Sequence, residues 1–485
     1  MQKNVLDSVE VETSLLQTNM ALFGDNKSKK TFTIMNVKTK SIITLCLTAL
    51  ASMPLSAQSY LGSVVDIEGT WTTAKNIKVE ENQVVFTDHK DGGHTIANSH
   101  GNSTPVKVIH DVLYCDNDES LTSDQVGKAV KTGQLTLTGT LNNHNWALLN
   151  DGKLDGITSA RFYKVTGDDT FTALNNLKCS TLSSVTFEDC SFPNVTSLEG
   201  LLRESAITSF TWGGMDVSNN LSTLQSMFYS CKSLQSVSLK GLNTSNVTDI
   251  SALFSGCSAL SSIDLSGCDF SNVTDCSGMF KSCADLQSID LSNLNLINVT
   301  TSYNMFSQCA KLTNINFTGC DFSKVTDSRS MFQQCNVLKT VNLSGVKLSS
   351  KNCYKMFQYC YDLNSVNLSG CNFKEVTSCE EMFGYCNALK EIVLSGCSLE
   401  CAENASLNYM FRDCSALETV NFSGCDLSNA TNYKSMFYNC MALKTIKAIG
   451  CNEATITKLQ EAKNIYEYLS GVTIVTSESS STTTE

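Results

Sequence analysis

The sequence predicts an α/β solenoid, in which short strands and short helices alternate along a series of stacked turns. The first observation is a Met-Phe-x-x-Cys motif, or a close variant, that recurs at intervals of 25 to 28 residues. The second is a strand-like alternation of apolar and polar residues in each interval, and the third is an apolar stripe with helical spacing. The motif begins at Met227, Leu253, Met279, Met305, Met331, Met356, Met382, Met410 and Met436.

The internal pattern of each interval matches one class of repeat. From Leu260 the chain reads L-x-x-I-x-L-x-x-C-x-F, and the same spacing recurs from Leu312 and Leu417. This agrees with the L-x-x-L-x-L-x-x-[N/C]-x-L template of leucine-rich repeats, whose period is roughly 20 to 29 residues. Two weaker turns come first, one at 201–202 and one ending in Cys179. We therefore predict a leucine-rich-repeat array with about 26 residues per repeat.

A single repeat shows how each turn is predicted to form. Ile263 and Leu265 flank polar Asp264, which is the two-residue period of a short strand with one buried face. The apolar residues of 279–286 fall at i, i+1, i+4 and i+7, as on one face of a short helix. Because no turn can bury its apolar face alone, neighbouring turns must stack, with parallel strands on the concave face and short helices on the convex face.

The repeats also carry a longer signature, Met-Phe-x-x-Cys-x-x-Leu-x-x-[Ile/Val]-x-Leu-Ser, which is followed by Ser-Asn-Val-Thr at 245–248 and 271–274. Over about 280 residues, from 173 to 451, this signature resembles the BspA-like leucine-rich-repeat surface proteins. The resemblance implies a bacterial or protist cell-surface protein that adheres to host proteins. This resemblance is specific for the subtype of the repeat and does not identify a ligand.

The other stretches are assigned from composition and pattern. Residues 58–120 do not show the 26-residue repeat. Short apolar runs alternate there with clusters of turn-forming residues, which predicts a β-rich module. The next stretch predicts a helix, then a degenerate strand and helix, as expected of a terminal repeat that shields an open core. The predicted order is 1–34, a disordered upstream extension; 35–57, a signal peptide; 58–120, the β-rich N-terminal module; 121–172, an N-terminal cap and degenerate first repeat; 173–455, the leucine-rich-repeat solenoid; 456–476, a C-terminal cap; and 477–485, a disordered tail.

A secretory signal peptide is predicted at 35–57. A basic segment from Met35 precedes the apolar run SIITLCLTALASM and the small residues of PLSAQ, so we expect cleavage after Ala57. This run is shorter than the roughly 20 residues that span a bilayer, and no later apolar segment is long enough. Lipid attachment at Cys46 is not expected, because Leu45 stands where a lipoprotein signal has Gly or Ala. The mature protein is therefore predicted to be secreted or held at the cell surface.

Net charge argues against two classes of partner. The chain carries a formal charge of −12, and residues 1–57 contribute +2 from six lysines and four acidic residues, which leaves −14 for 58–485. Nucleic-acid binding depends on cationic contacts to phosphate, and adsorption to anionic lipid needs a basic surface. We therefore expect a protein or extracellular-matrix partner, with a glycan as a further candidate.

Cysteine is unusually frequent, with 23 residues in the chain. Most fall in two columns of the repeat that are predicted to be buried, where a free thiol acts as a small apolar side chain. Stacked thiols would lie about 5 Å apart, but their Cβ vectors run parallel instead of converging as a disulfide requires. We expect mostly unpaired thiols. Zinc is disfavoured because no C-x-x-C pair occurs. Disulfides are an alternative at Cys353, Cys379 and Cys401, and Cys115 is expected to be free or bound in the cap.

The sequence gives little support for an enzyme. No histidine follows residue 144, so the repeats cannot form a Ser-His or Cys-His pair, and no G-x-S-x-G motif or glycine-rich phosphate loop occurs. A metal ion could be bound by Asp88, His89, His94 and His100, although a solvated hairpin loop is the simpler interpretation. We predict a non-enzymatic protein without cofactor or metal; an enzyme centred on the histidine segment is an alternative. The histidines are His89, His94, His100, His110 and His144.

Exposed strand residues form the candidate binding face. In one column, Asp264 and Asp290 are continued by asparagines in later turns, which favours a polar ladder over paired catalytic carboxylates. The main hypothesis is protein–protein interaction or adhesion through the repeat surface. The alternative is a glycan- or envelope-binding N-terminal module, with Trp71 and Phe86 as stacking residues and the repeats as a spacer. The candidate face comprises Asp264, Asp290, Asn316, Asn342, Asn367 and Asn421.

Overall fold

The computed structural model describes residues 121–292 and 294–477 and, upstream of them, the backbone of six strands between residues 77 and 114. The chain divides into two units between Asp111 and Val112. Several sequence predictions fall outside the described residues: the upstream extension, the signal peptide, Cys46, the side chains of Trp71 and Phe86, the histidine loop, Cys115 and the end of the tail.

The described part of the first unit contains five short strands: β1 (Ile77–Glu80), β2 (Gln83–Phe86), β3 (Thr95–Ala97), β4 (Ser103–Pro105) and β5 (Lys107–Ile109). The first two strands are antiparallel, and β2 also pairs in parallel with β5. A separate antiparallel pair is formed by β3 and β4. The strands therefore account for the alternating apolar pattern of this part of the sequence.

The second unit begins with a parallel sheet. Thr136 lies opposite Val112 on one side and Arg161 on the other, and Arg161 lies opposite Thr186. These partners are separated by 24 or 25 residues, so parallel stacking starts upstream of residue 173. The strands of this region are β6 (Val112–Tyr114), β7 (Gln134–Leu141), β8 (Ser159–Gly167), β9 (Ser184–Glu188), β10 (Cys190–Phe192), β11 (Ser209–Thr211) and β12 (Met215–Val217).

Two helices alternate with the first strands of this unit. Helix α1 (Ser123–Thr132) begins at a capping box, in which Thr122 and Gln125 each bond to the backbone of the other. Helix α2 (Asn143–Ala147) begins at Asn142, whose side chain accepts the backbone N–H of the third residue after it. Both helices lie within the stretch whose sequence predicts a helix followed by a degenerate strand and helix.

The repeats form a parallel-strand solenoid, which confirms the predicted fold class. Most repeats contribute a three-residue strand, and neighbouring strands pair in register, as Ile289 with Ile315 and Val420 with Ile446. A second line of parallel bridges also joins the turns. The strands are β13 (Ser236–Ser238), β14 (Ser262–Asp264), β15 (Ser288–Asp290), β16 (Asn314–Asn316), β17 (Thr340–Asn342), β18 (Ser365–Asn367), β19 (Val376–Ser378), β20 (Glu391–Val393), β21 (Cys401–Ser406), β22 (Thr419–Asn421), β23 (Ala430–Asn432), β24 (Thr445–Lys447) and β25 (Thr473–Val475).

The Met-Phe segments differ from the sequence prediction, because they are successive turns and not short helices. Phe254 donates its backbone N–H to the carbonyl oxygen of Met279 in the next repeat at 2.9 Å. Met279 itself donates to the carbonyl of Cys276, three residues back. Left-handed residues such as Ser282, with φ of 60°, also interrupt helical geometry. The close neighbouring turn therefore accepts hydrogen bonds that a helix would keep internal.

A continuous stack of phenylalanine rings runs through the core. Nine rings, one from each Met-Phe motif, are fully buried, with adjacent centroids 5.2–5.8 Å apart and planes within 12° of parallel. Ring–ring contacts add to the free energy that is gained when apolar area leaves water. The rings belong to Phe228, Phe254, Phe280, Phe306, Phe332, Phe357, Phe383, Phe411 and Phe437.

Free thiols line the same core. The cysteine that ends each Met-Phe-x-x-Cys motif donates its thiol to a backbone carbonyl oxygen of the preceding turn, as Cys283 does to Phe254 at 3.2 Å and Cys309 to Phe280 at 3.0 Å. All 21 cysteines of the described residues are free, and all but one are buried. The thiols fill space and satisfy buried carbonyl oxygens, which are costly to leave without a partner. The alternative disulfide positions, Cys353, Cys379 and Cys401, are among the free thiols.

The C-terminal end of the solenoid is closed by helix α3 (Glu453–Asn464), a 3-10 turn at Glu467–Leu469 and strand β25. The side chain of Asn452 caps the helix. The hydroxyl of Tyr468 accepts the backbone N–H of Asn439 at 2.7 Å. In earlier repeats the equivalent N–H donates to the next turn, so Tyr468 replaces the carbonyl that a further repeat would supply.

Candidate functional site

The structure places the candidate binding face on one column of the strands. Asp290 lies opposite Asn316, and Asn342 lies opposite Asn367, so both pairs are neighbours in register. The other members stand at the same position, the last residue of a three-residue strand, in more distant repeats. A role for this column in binding stays a prediction. Its members, Asp264, Asp290, Asn316, Asn342, Asn367 and Asn421, are half-buried or exposed.

Each residue of this column also caps the turn that follows its strand. Oδ1 of Asp290 accepts the N–H of Ser292 at 2.9 Å, and Oδ1 of Asn342 accepts the N–H of Ser344 at 3.1 Å. Hydrogen bonds from Ser292 lower the pKa of Asp290, because they stabilise its charged form. A carboxylate held ionised in this way is a poor general acid. The choice of Asp or Asn is therefore explained by turn formation, since both side chains present the same accepting oxygen.

Replacing this oxygen in one turn is expected to weaken the fold modestly. We expect Asn342→Ala to lower the free energy of unfolding by about 1 kcal/mol, because the N–H of Ser344 loses its acceptor. Asn342→Asp keeps the acceptor and should stay close to the unmodified protein in a urea titration. Equal losses for the two variants would show that the column is not needed as a turn cap.

A second surface is formed by tyrosines of the last four motif turns and of the C-terminal cap. Tyr359 stacks on Tyr385, with centroids 4.6 Å apart and planes at 21°. The guanidinium of Arg412 lies 5.3 Å from the centroid of Tyr385 and 5.7 Å from that of Tyr438. Tyr438 meets Tyr466 edge to face at 5.7 Å. We call this surface the Tyr–Arg cluster; it comprises Tyr359, Tyr361, Tyr385, Tyr409, Arg412, Tyr438, Tyr466 and Tyr468.

The cluster coincides with the largest apolar exposure in the described part of the chain. Tyr361 is 42% exposed and Tyr438 is 40% exposed, and Met441, three residues after Tyr438, reaches 62%. Ile465 and Tyr468 of the cap are also exposed. Eight large hydrophobic side chains of the described residues are exposed, and five of them belong to the cluster or lie within three residues of one of its members in the sequence. A concentration of exposed apolar side chains in one part of the fold is typical of interaction sites.

Two basic side chains at the cluster, Arg412 and Lys355, are paired with carboxylates of the chain. Nε of Arg412 lies 3.1 Å from a carboxylate oxygen of Asp413, and Nζ of Lys355 lies 3.6 Å from one of Glu381. Burial opposes the charged form of Arg412, but the hydrogen bond that its Nε donates to Asp413 and the nearby negative charges outweigh this effect and raise the pKa of Arg412. The guanidinium therefore stays charged while it contacts the rings. The cluster thus combines aromatic area with compensated charge.

Sequence reasoning missed the Tyr–Arg cluster because its members occupy different positions of the repeat. Tyr385 precedes the motif cysteine, Tyr409 precedes the motif methionine, and Tyr438 follows the phenylalanine. A search for residue types that recur at one position of the repeat misses such residues, and only the stacking of the turns brings them together. The available signal is composition, since nine of the 14 tyrosines lie between residues 354 and 468.

Metal-binding groups, histidines and membrane-spanning helices can be described only for part of the chain. The described residues contain no group of three or more His, Cys, Asp or Glu side chains placed to hold a metal ion. His144 lies exposed on α2, and the other histidines lie outside the described residues. No helix in the described part of the chain combines the length and apolar character needed to cross a membrane.

Solved structures similar to this chain include leucine-rich-repeat proteins of several bacteria. The leucine-rich cell surface protein of Faecalibacterium prausnitzii is 16% identical, with 81% of this chain and 97% of that chain covered and a TM-score of 0.27. An internalin of Listeria monocytogenes is 14% identical, with 74% and 89% covered and a TM-score of 0.24. A leucine-rich-repeat protein of Leptospira interrogans is 12% identical, with 72% and 97% covered and a TM-score of 0.20.

Sequence comparison identifies a family. No curated protein matches this sequence significantly. The profile of one protein family matches residues 222–345 and 351–470, which together make up half of the 485-residue chain and contain all nine Met-Phe motifs. The chain therefore belongs to the family described as "Mycoplasma protein of unknown function, DUF285".

Proposed function

We propose that this protein is a non-enzymatic, exported leucine-rich-repeat protein that binds a protein or extracellular-matrix partner through its repeat surface, in adhesion. The observation that carries the proposal is the Tyr–Arg cluster. Tyrosine, arginine and methionine are enriched at the centres of protein interfaces, where a few such residues supply most of the binding energy. Export rests on the signal peptide predicted at 35–57 and on the resemblance to surface proteins.

Rigid aromatic groups suit this role because they lose little conformational freedom on binding. The ring of Tyr385 is held between Tyr359 and Arg412, and Arg412 is fixed by Asp413. Such pre-organisation lowers the entropic penalty of association. The solenoid adds a second advantage, since stacked turns present side chains from distant parts of the sequence on one extended surface.

The strand face is the other surface that the proposal includes. The side-chain oxygens of the last strand residues cap the turns that follow. The exposed first residues of the strands, such as Asn314 and Thr340, cap no turn among the described residues. This face lacks aromatic anchors, so we place the main contribution to affinity on the Tyr–Arg cluster.

A comparison of two variants of the purified chain tests the proposal. One variant carries Tyr361→Ser, Tyr438→Ser and Met441→Ser in or beside the cluster; the matched control carries Asn314→Lys, Thr340→Lys and Ser365→Lys on the strand face. Binding is measured against a panel of host matrix proteins and a glycan panel. We expect the cluster variant to bind its matrix protein at least tenfold more weakly, which corresponds to about 1.4 kcal/mol, and the control to change less than twofold.

Two other outcomes are informative. Loss of binding in the strand-face variant alone would move the site to the predicted column and its neighbours. An unmodified chain that binds no matrix protein, or binds only glycans, would contradict the proposed protein-binding function.

A further inference from the structure

We infer that the Tyr–Arg cluster recognises an uncharged, extended segment of polypeptide that carries aromatic or aliphatic side chains. This inference rests on the proposed binding function and assigns the chemistry of its partner. It follows from three properties of the cluster: its charge, the arrangement of its rings and its length along the solenoid.

Charge decides between ionic and uncharged partners. Arg412 is paired with Asp413 and Lys355 with Glu381, so the cluster presents no unpaired charge from these residues. A strongly charged partner would have to break these pairs or leave its own charges without partners, and both are unfavourable when water is excluded. The net charge of −12 further opposes an acidic partner. An uncharged partner avoids these penalties.

Ring arrangement decides between a peptide and a stacked ligand. Tyr359 and Tyr385 each cover one face of the other at 4.6 Å, and the guanidinium of Arg412 lies over the rings of three tyrosines. Sugars and nucleic-acid bases are bound chiefly on open aromatic faces. What the cluster offers instead is ring edges, the phenol groups of exposed Tyr361 and Tyr438, and the flexible side chain of Met441. Edge-to-face contact with aromatic side chains and hydrogen bonds to backbone groups use these features.

The length of the cluster sets the size of the segment. Tyr359 and Tyr438 lie three turns apart, and stacked turns are spaced by about 4.8 Å, so the two rings are separated by roughly 14 Å along the solenoid axis. An extended chain rises about 3.3 Å per residue, so roughly four or five residues span this distance. The cluster therefore fits a short linear segment better than a single small molecule.

Selection from a random dodecapeptide library displayed on phage tests this inference, with the full unmodified chain as the immobilised target. The cluster variant with Tyr361→Ser, Tyr438→Ser and Met441→Ser serves for counter-selection. We expect the enriched sequences to share four to five consecutive positions that are rich in aromatic and aliphatic residues and poor in Asp, Glu, Lys and Arg. A synthetic peptide of the consensus should bind the unmodified chain with a Kd that changes less than twofold between 50 and 500 mM NaCl, because screening acts on charged contacts.

Binding of that peptide to variants gives the decisive comparison. The cluster variant should bind it at least tenfold more weakly. A matched control, Tyr303→Ser, removes an exposed tyrosine that contacts Arg329 outside the cluster, and its Kd should stay within twofold of the unmodified chain. Circular dichroism spectra and thermal midpoints of both variants report whether the fold is kept.

Several results would overturn the inference. These are a charged consensus, a Kd that rises tenfold with salt, equal binding by the cluster variant, or no enrichment over counter-selection. A concentration-dependent dimer that is lost in the cluster variant, measured by sedimentation, would instead assign the cluster to a second copy of this chain. The matrix-protein assay separates this inference from the proposed function, since adhesion that survives in the cluster variant leaves that function intact at another surface.

Discussion

Raising the pH from 9 to 11 is expected to unfold the repeat array. Burial raises the pKa of Cys309 to about 12 and that of Cys320 to about 11, from an ordinary value of 9.0. Above pH 9 the unfolded chain therefore loses thiol protons that the folded chain keeps. Stability from this source is complete below pH 9 and is lost as the pH rises toward the folded-state values.

The effect is large because many thiols act together. Each thiol with a raised pKa removes on the order of 1 kcal/mol of stability per pH unit in this window, so several of them together remove an amount comparable to the whole stability of a typical domain. Urea titrations from pH 7.5 to 10.5 measure the decline. The pKa is raised to about 11 or 12 by burial at Cys268, Cys309, Cys320, Cys360, Cys371, Cys397, Cys401 and Cys440.

A double variant separates thiol titration from that of lysine and tyrosine. Cys309→Ser with Cys360→Ser removes two of the buried thiols, so the slope of stability against pH above pH 9 should become shallower by roughly 2 to 3 kcal/mol per pH unit. Accessibility of thiols to a chromogenic disulfide reagent should rise in step with unfolding. A urea midpoint that is the same at pH 8 and pH 10.5 would contradict the prediction.

Phe306→Ala is expected to have the largest effect of any single substitution considered for this protein. The ring is fully buried and lies 5.4 Å from Phe280 and 5.7 Å from Phe332 in the phenylalanine stack. Truncation would remove both ring contacts and leave a cavity that the stacked turns can close only in part. A loss of about 3–5 kcal/mol in the free energy of unfolding is expected, as measured by urea denaturation.

Lys311→Ala provides the matched control in the same repeat. Its Nζ lies 2.7 Å from a carboxylate oxygen of Asp285, and both side chains are largely exposed. Exposed ion pairs contribute about 1 kcal/mol or less, so this variant should unfold close to the unmodified protein. If both substitutions shifted the urea midpoint equally, the phenylalanine stack would not be the main support of the central repeats.

Burial of the thiols also bears on the proposed export. A cysteine reacts as a thiolate and needs access to solvent, and the buried thiols whose pKa is raised, such as Cys309 and Cys360, have neither property at neutral pH. These thiols can therefore remain unpaired in an oxidising environment as long as the chain stays folded. Unfolding exposes these thiols to solvent, where they can be oxidised, so the chemical stability of the chain depends on its folding.

The sequence by itself determined the repeat period, the parallel stacking and the buried cysteine columns. These properties depend on spacing along the chain, because apolar residues such as Ile263 and Leu265 recur at fixed intervals and must be buried by neighbouring turns. The polar column of Asp290 and Asn316 was likewise visible in the sequence, although its capping of turns was not.

Only the tertiary structure decided what the Met-Phe segments and the tyrosines do. The apolar stripe at 279–286 has helical spacing, but a neighbouring turn accepts the N–H of Phe280 through Met305, so the segment forms turns. The Tyr–Arg cluster depends on contacts such as that between Tyr385 and Arg412, which are 27 residues apart and occupy different positions of their repeats. Periodicity reports which residues share a column, whereas a surface built across columns exists only once the turns are stacked.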